Sequence, residues 1–431
     1  MNSARAPRHP HLRAVVDVLE SPRFSAVLAT VSIGTVLLTH AVRSMIGWPG
    51  LIAALATLAV MAGAVLYVRR DQFEWLGILP VTLLAFVGWS IVSTLWSQYQ
   101  WTTVSGVLYQ VVVGLLAVFV AIGRDLIQIV RAFGDVFRLV LGVSLAVEIL
   151  SGIIFDVPIK FLGVLGNIAI GGPIQGLMGS RNMLGLITLI AVITFAVESG
   201  TRSVRRETTI ASLVLAGVVF VLTRSPVASF AGLVVALAAV ALLLIRRTPA
   251  ERRQGTQIGF GILAVVAAAV AYFARGPIVG LFNAGGELQV RLSLWRQTWA
   301  LTQLHFTEGW GWAGSWRPDV LPFLAIRTTN GRIPTSALDA YIDVWFQLGL
   351  IGLVIFVAFL GLALTRSWIV ASNRRNVAHV WPALVLVALA FVSAAESAIL
   401  TEWGWFLFVV CAVKAAQELS WRRGLRRTEV G

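Results

Sequence analysis

The chain has 431 residues, of which 58% are hydrophobic and 13% charged, with a formal net charge of +14. Soluble domains are usually about 45–50% apolar and about 25% charged, so a mean hydropathy of +0.85 excludes a water-soluble fold. The basic excess has to be read from its distribution, and that distribution points to membrane topology and away from a nucleic-acid partner.

Residues 1–23 are polar and carry Arg5, Arg8 and Arg13. The apolar run that follows is too long for a signal-peptide core and lacks a small-residue cleavage site, so 1–23 is expected to be a cytoplasmic tail leading into a retained first span. Spans are predicted at 24–44, 49–68, 75–96, 103–123, 133–153, 182–199, 208–223, 226–245, 257–274, 340–365, 380–396 and 402–419. Each comes near the roughly 20 residues that cross a hydrocarbon core about 30 Å thick. The expected fold class is all-α: a polytopic integral membrane protein of about 12 transmembrane helices, one membrane domain over 1–431, with a large outer loop containing short surface helices. A second cytoplasmic tail is expected at 420–431.

Arginines mark alternate connections: Arg69 and Arg70, Arg124 and Arg131, Arg202, Arg205 and Arg206, Arg246, Arg247, Arg252 and Arg253, Arg366, Arg374 and Arg375, and the C-terminal Arg422, Arg423, Arg426 and Arg427. The positive-inside rule makes these connections and both termini cytoplasmic, in the cell membrane. Two opposite connections are long, a Gly/Pro-rich loop at 155–181 and a larger one at 275–339. The larger carries Arg291, Arg296, Arg317, Arg327 and Arg332 against the charge rule, so these arginines serve something other than orientation.

Within that loop, Arg291 to His305 has helix-forming composition. Leu292, Trp295, Trp299 and Leu301 recur at three- and four-residue spacing, which suits a helix lying along the membrane surface. Gly309-Trp310-Gly311-Trp312 follows. Guanidinium is planar, always charged and rich in donors, so Arg181, Arg224 and Arg291, near one outer plane, are candidates for binding the oxygens of a diphosphate. Snorkelling to lipid head groups is the plainer use of any one of them. Carboxylates within spans are costly and face an interior or a cavity, and Glu148, Asp339, Asp343, Glu396 and Glu402 all sit in or near the outer halves of spans. The expected catalytic group is Asp339, orienting or deprotonating an acceptor hydroxyl, with His305 and Glu396 behind it; a structural pairing with an arginine is the competing role. The five histidines show no metal-ligand spacing and Cys411 stands alone, so no metal and no cofactor is expected.

Several blocks resemble the O-antigen ligase and polymerase family, bacterial multi-span glycosyltransferases. They are Gly176-Leu-Met-Gly-Ser-Arg-Asn182-Met-Leu-Gly185, Arg291-Leu-Ser-Leu-Trp295 leading into Gly309-Trp-Gly-Trp312, and Leu338-Asp339-Ala-Tyr-Ile-Asp-Val-Trp-Phe-Gln-Leu-Gly349-Leu-Ile-Gly352. They run in the family's order over the second half of the chain. Two positions depart from the family's pattern: Leu338 and Asp339 stand where ligases commonly place a His-Asn pair, and Arg224 precedes Ser225-Pro226 where the span end usually reads Ser-Arg.

The resemblance implies transfer of a glycan from a polyprenyl-diphosphate carrier to an acceptor hydroxyl at the outer face of the membrane, as ligase or polymerase of a surface polysaccharide. Partners would be the lipid-linked donor, a glycan or lipid-glycan acceptor and membrane lipids. The competing readings are a secondary transporter or exporter, disfavoured because no two similar six-span halves are visible, and a non-catalytic scaffold of a surface-glycan complex.

Overall fold

A computed structural model describes residues 16–72, 79–273, 285–328, 331 and 333–418. Arg275, Arg332, the first residues of the 75–96 span and most of both tails lie outside the described residues. The regular elements are helices: α1 (Pro22–Leu37), α2 (Thr39–Val68), α3 (Val81–Val92), α4 (Gln100–Gly123), α5 (Leu126–Ile149), α6 (Arg181–Thr201), α7 (Arg206–Thr223), α8 (Pro226–Arg247), α9 (Ala250–Phe273), α10 (Gly285–Thr302), α11 (Ala340–Asn373), α12 (Val380–Val392) and α13 (Glu402–Glu418). Seven segments among the described residues are long and apolar enough to cross a membrane (α2, α4, α5 with its extension to Ile154, α6, α7, α8 and α11), and α1, α3 with its extension to Leu95, and Val377–Val392 are shorter apolar helices. The chain is thus an all-α, polytopic membrane protein.

Burial divides the helices into a centre and a shell. The apolar stretch of α6 is 72% buried, against 28% for α7 and 33% for α8, so α6 is a central post and its neighbours present one side outward. It packs on α5, α7, α8 and α12, while α13 packs on α4, α11 and α12. Two buried indoles bond across helices: Trp381 Nε1 donates to Thr194 Oγ1 at 2.9 Å, and Trp405 Nε1 to the Gln110 carbonyl at 3.1 Å. In an apolar bundle such bonds help fix which helix faces meet.

Connections alternate between two ends. At one end lie the arginine-rich turns, tied by Arg374 to Glu418 at 3.1 Å, by Lys414 Nζ to the Arg124 carbonyl at 2.7 Å and by Arg246 to the Arg375 carbonyl at 2.6 Å. At the other end lie the break inside α2 at Gly47 (φ 70°), the loop between α5 and α6, and the segment carrying α10.

The 340–365 span of the sequence analysis is two pieces. At Gly349 the backbone turns to φ 69°, ψ −173°, a conformation open essentially to glycine alone. Residues 340–348 form a short helix at the loop end, and the helix that resumes runs to Asn373, about 36 Å at 1.5 Å per residue. A break exposes carbonyls on one side and amides on the other, which a membrane protein must satisfy from within. Here the loop, together with Trp89 of α3, supplies both sets. Trp310 and Gly311 amides donate to the Phe346 and Gln347 carbonyls at 3.1 and 2.8 Å, Trp89 Nε1 to the Leu348 carbonyl at 2.9 Å, and the Leu350 amide to the Phe306 carbonyl at 3.0 Å.

Gly349→Ala should therefore fail twice, since a Cβ there would lie 2.1 Å from the Thr307 carbonyl oxygen in a backbone conformation it cannot hold. Strain alone costs about 1–3 kcal/mol, so thermal unfolding in detergent should show a lower midpoint, whereas Gly361→Ala, in open space on the same helix, should leave it unchanged.

Candidate active site

The loop end collects its polar groups around the turn that follows α12. The sequence places Glu396 in a span, but the helix ends at Val392, and the Ala395 and Glu396 amides both close back on the Val392 carbonyl. This turn aims the Glu396 carboxylate inward, where it is 6% exposed and meets Arg291, itself 10% exposed, at 3.1 Å. Arg291 Nε also donates to the Ala395 carbonyl at 3.2 Å. The pair is buried, so it persists only because its other hydrogen-bonding positions are engaged.

Asn182 provides one of those engagements, donating from Nδ2 to Glu396 Oε1 at 2.8 Å. Its Oδ1 accepts from Ser225 Oγ at 2.7 Å, and Ser225 Oγ in turn accepts the Ala228 amide, capping α8 with Pro226 in its first turn. The relay Arg291–Glu396–Asn182–Ser225 joins α10, the α12–α13 turn, the start of α6 and the start of α8. Gly185 permits it: a Cβ there would stand 2.7 Å from Ala228 Cβ and 3.1 Å from Ser225 Cβ.

Two sequence-derived candidates are the chain neighbours of this relay. Arg181 opens α6 beside Asn182 and is half-buried. Arg224 is the left-handed C-cap of α7 (φ 46°) beside Ser225, and its side chain is exposed, with Nη2 against Gly171 of the preceding loop. That left-handed link, followed by a proline-started helix, is why arginine comes before Ser225-Pro226.

Asp339 is the N-cap of α11. Its Oδ1 accepts the Tyr341 and Ile342 amides at 2.9 and 3.0 Å, a cap worth about 0.5–2 kcal/mol. Among the described residues no hydrogen bond reaches its Oδ2. The next residue ties this point to the Glu396 turn, the Ala340 amide donating to the Ser393 carbonyl at 2.7 Å. Burial pushes the Asp339 carboxyl above its ordinary range, opposed by the two amides.

His305 is not brought into this group. It lies fourteen residues beyond Arg291 along α10 and its terminal 3-10 turn, about 20 Å away at helical rise. There its Nδ1 pairs with Glu308 Oε1 at 3.0 Å and its ring meets Trp310 edge-on at 4.4 Å, bracing the turn that enters the Gly349 clasp. The hydrogen bond from His305 is the largest influence holding Glu308 below the usual carboxylate range. The buried stripe of α10 is Arg291, Leu294, Thr298 and Thr302, while Leu292 and Trp299 are exposed. The exposed apolar edge suits a helix at a membrane surface, and the buried one holds the arginine.

The remaining carboxylates have structural partners. Glu148 accepts the Gln175 and Gly176 amides at 2.7 and 2.9 Å, Glu402 pairs with Arg43 at 3.3 Å, and Asp343 accepts Trp316 Nε1, Gln347 Nε2 and the Ala337 amide at 2.6, 2.8 and 3.2 Å. Asn182, Ser225 and Gln347 were not singled out as site residues from the sequence. Asn182 lies inside a block that carries the family resemblance, and that block was the one available signal. Among the described residues, no group of three or more His, Cys, Asp or Glu side chains could hold a metal ion.

By fold, then, this is a polytopic helical membrane protein whose arginines and carboxylates meet at one end of the bundle under a clasped loop. Residues 211–357, from α7 through the broken part of α11, match the O-antigen ligase family model. The match supports glycan transfer of the O-antigen ligase and polymerase type at the membrane. No curated protein matches the chain.

Glu396→Ala should strand the Arg291 charge in the interior and destabilise the protein by about 3–5 kcal/mol, whereas replacing Arg291 and Glu396 together by Met should recover most of the loss. A double-mutant cycle on detergent melting midpoints reads this directly, and additive effects would show that the two side chains do not act as a pair.

Proposed function

We propose that the protein transfers a glycan from a polyprenyl-diphosphate carrier to an acceptor hydroxyl at the outer face of the cytoplasmic membrane, with inversion at the transferred carbon. Twelve segments would cross the bilayer with both termini inside. The gathering of arginine-rich turns at the end opposite the loops supports this orientation through the positive-inside rule. The observation that carries the chemical reading is the relay from Arg291 through Glu396 and Asn182 to Ser225: Arg181 and Arg224 are the chain neighbours of Asn182 and Ser225, and Ala340, next to Asp339, bonds the turn that holds Glu396.

The division of labour follows from burial. Arg291 is already neutralised in part by Glu396, so it fixes the site and adds to its positive potential, while Arg224, exposed, and Arg181, half-buried, meet the diphosphate. As the bond from the sugar's anomeric carbon to the phosphate oxygen breaks, its electron pair moves to the diphosphate, and guanidinium groups set beforehand stabilise the growing charge. The acceptor oxygen forms the new bond to that carbon and gives its proton to Asp339, whose Oδ1 is held by the helix amides and whose Oδ2 takes the hydroxyl. Glu396 and His305 hold the arrangement from behind, the first through Arg291 and the second through the Glu308–Trp310 turn. No metal and no nucleotide enters this scheme.

Arg224→Ala should lower transfer by about 100-fold or more, and Arg224→Lys should recover only part of it, because an ammonium cannot reproduce the guanidinium fork. The assay is transfer by the full chain in nanodiscs carrying lipid-linked glycan, and an Arg224→Ala variant as active as wild type would remove this arginine from the site.

Asparagine caps a helix about as well as aspartate, so Asp339→Asn should keep the fold while lowering the rate by about 10²–10⁴-fold. A base must be ionised, and burial raises the Asp339 carboxyl. Wild-type activity should therefore fall on acidification at a pH above the ordinary carboxylate range, with that limb absent from the residual activity of Asp339→Asn.

A further inference from the structure

At the arginine-rich end, where α4, α5, α11, α12 and α13 meet, a cavity of about 90 Å³ is lined by Asp125, Ser367, His379, Lys414, Gln417 and Glu418, among others. We propose that it binds a phosphate group, borne by the headgroup of an anionic lipid or supplied as free phosphate.

The first observation is an unmatched donor. Ser367 is 2% exposed, lines the cavity, and its Oγ has no hydrogen-bond partner. It lies six residues before the end of α11, about 9 Å into the bundle by helical rise. A buried hydroxyl without a partner loses its hydration for nothing in return, and an anionic oxygen reaching this depth would supply what it lacks. Arg124 Nε, on the turn that borders the cavity, is likewise buried without a partner.

A second, separate observation is the direction of the helices. α5 starts at Leu126 with no side-chain cap at its N-terminus, whereas α12 continues the 3-10 turn Val377–His379, which Asn376 caps at the Ala378 amide. The uncapped first-turn amides of α5 are directed toward this end of the bundle, where they favour negative charge. The surrounding charges agree. Lys414 lines the cavity, and Arg374, Arg246 and Lys414 all act electrostatically on His379. Of the two carboxylates, Glu418 is engaged by Arg374 at 3.1 Å and Asp125 is exposed at the rim.

Phosphate fits this donor set better than a carboxylate because it offers more acceptor oxygens to donors arriving from several helices at once. The cavity lies at the end of the bundle where the arginine-rich turns gather, the end that the positive-inside rule assigns to the cytoplasmic surface. Basic pockets between membrane helices on the cytoplasmic side are suited to anionic headgroups. Occupancy would clamp α11 to α12 and α13, whose opposite ends carry Asp339 and flank Glu396. The site is distinct from the glycan-transfer site and does not depend on it.

The test is the melting midpoint of the purified full chain in neutral detergent, titrated in parallel with phosphatidylglycerol, phosphatidylcholine and inorganic phosphate. Wild type should be stabilised saturably by phosphatidylglycerol or by phosphate, and not by phosphatidylcholine. A response to the lipid that phosphate competes away names the headgroup as the source, and a response to phosphate alone names the free ion. Ser367→Ala removes one unpartnered hydroxyl and keeps the fold, and it should raise the half-saturating concentration about tenfold, as should Lys414→Gln. Equal stabilisation by both lipids, no stabilisation by any ligand, or half-saturation unchanged in Ser367→Ala would overturn the proposal, whatever becomes of the lysine variant.

Discussion

The buried pair of Arg291 with Glu396 is the constraint around which the loop end is organised. Two charges taken out of water are expensive to hold, and their attraction compensates only when the remaining oxygens and protons are also matched. Asn182 meets that condition at Glu396 Oε1, and by doing so it loses freedom to move: its carbonyl side is left facing Ser225, which is itself fixed as the cap of α8. One ion pair therefore dictates where α6 starts, where α8 starts and how the chain turns after α12. Arg181 and Arg224 have their places because they are the adjacent residues.

A second constraint acts on the backbone. Breaking α11 at Gly349 leaves peptide groups that neither lipid nor an apolar bundle can satisfy. The Phe306–Gly311 segment meets them with its own amides and carbonyls, and this forces it to approach within backbone contact. Gly309 shows how close, since a Cβ there would stand 2.4 Å from the Gly349 amide nitrogen. The same segment is anchored from the α3–α4 side, with Trp96 Nε1 donating to the Gly309 carbonyl at 3.2 Å and the Tyr99 hydroxyl to the Gly311 carbonyl at 2.9 Å. The tryptophans around Gly309 thus have two uses: Trp310 binds back to the Leu301 carbonyl at 3.1 Å, and Trp312 is fully buried against Phe86. An interfacial aromatic belt alone would not bury Trp312 so completely.

Hydropathy and arginine placement made the helical class, the long spans and the two-ended arrangement legible from residues alone, because both are local quantities that add along the chain. The break in α11 was not. Leu348-Gly349-Leu350 reads as an ordinary apolar helix with a tolerated glycine, and the amides that make the break affordable lie about forty residues upstream. The buried face of α10 is hidden for a related reason: periodicity marks Leu292 and Trp299 as the stripe toward the membrane surface, and both are exposed, but the burial of Arg291 and Thr298 depends on partners that pattern analysis cannot see. Asn182 fell between the two cases, visible within a family-like block but silent about its partner 214 residues away.

The satisfaction of the carboxylates is what singles out Asp339 for the proposed role at this end of the molecule. Glu148 is occupied by loop amides, Glu402 by Arg43, Asp343 by an indole, an amide side chain and the backbone, and Glu396 by Asn182 and Arg291. Each is a fixed point, and proton transfer from any of them would require dismantling the element it fixes. Asp339 differs in that one oxygen does the structural work of a helix cap and the other receives no bond within the described residues. A carboxylate split in this way is held in orientation without being used up, which is what a base acting on an acceptor hydroxyl needs. The same logic applied to the arginines sets Arg224, whose side chain faces outward, apart from Arg291, whose guanidinium is already engaged.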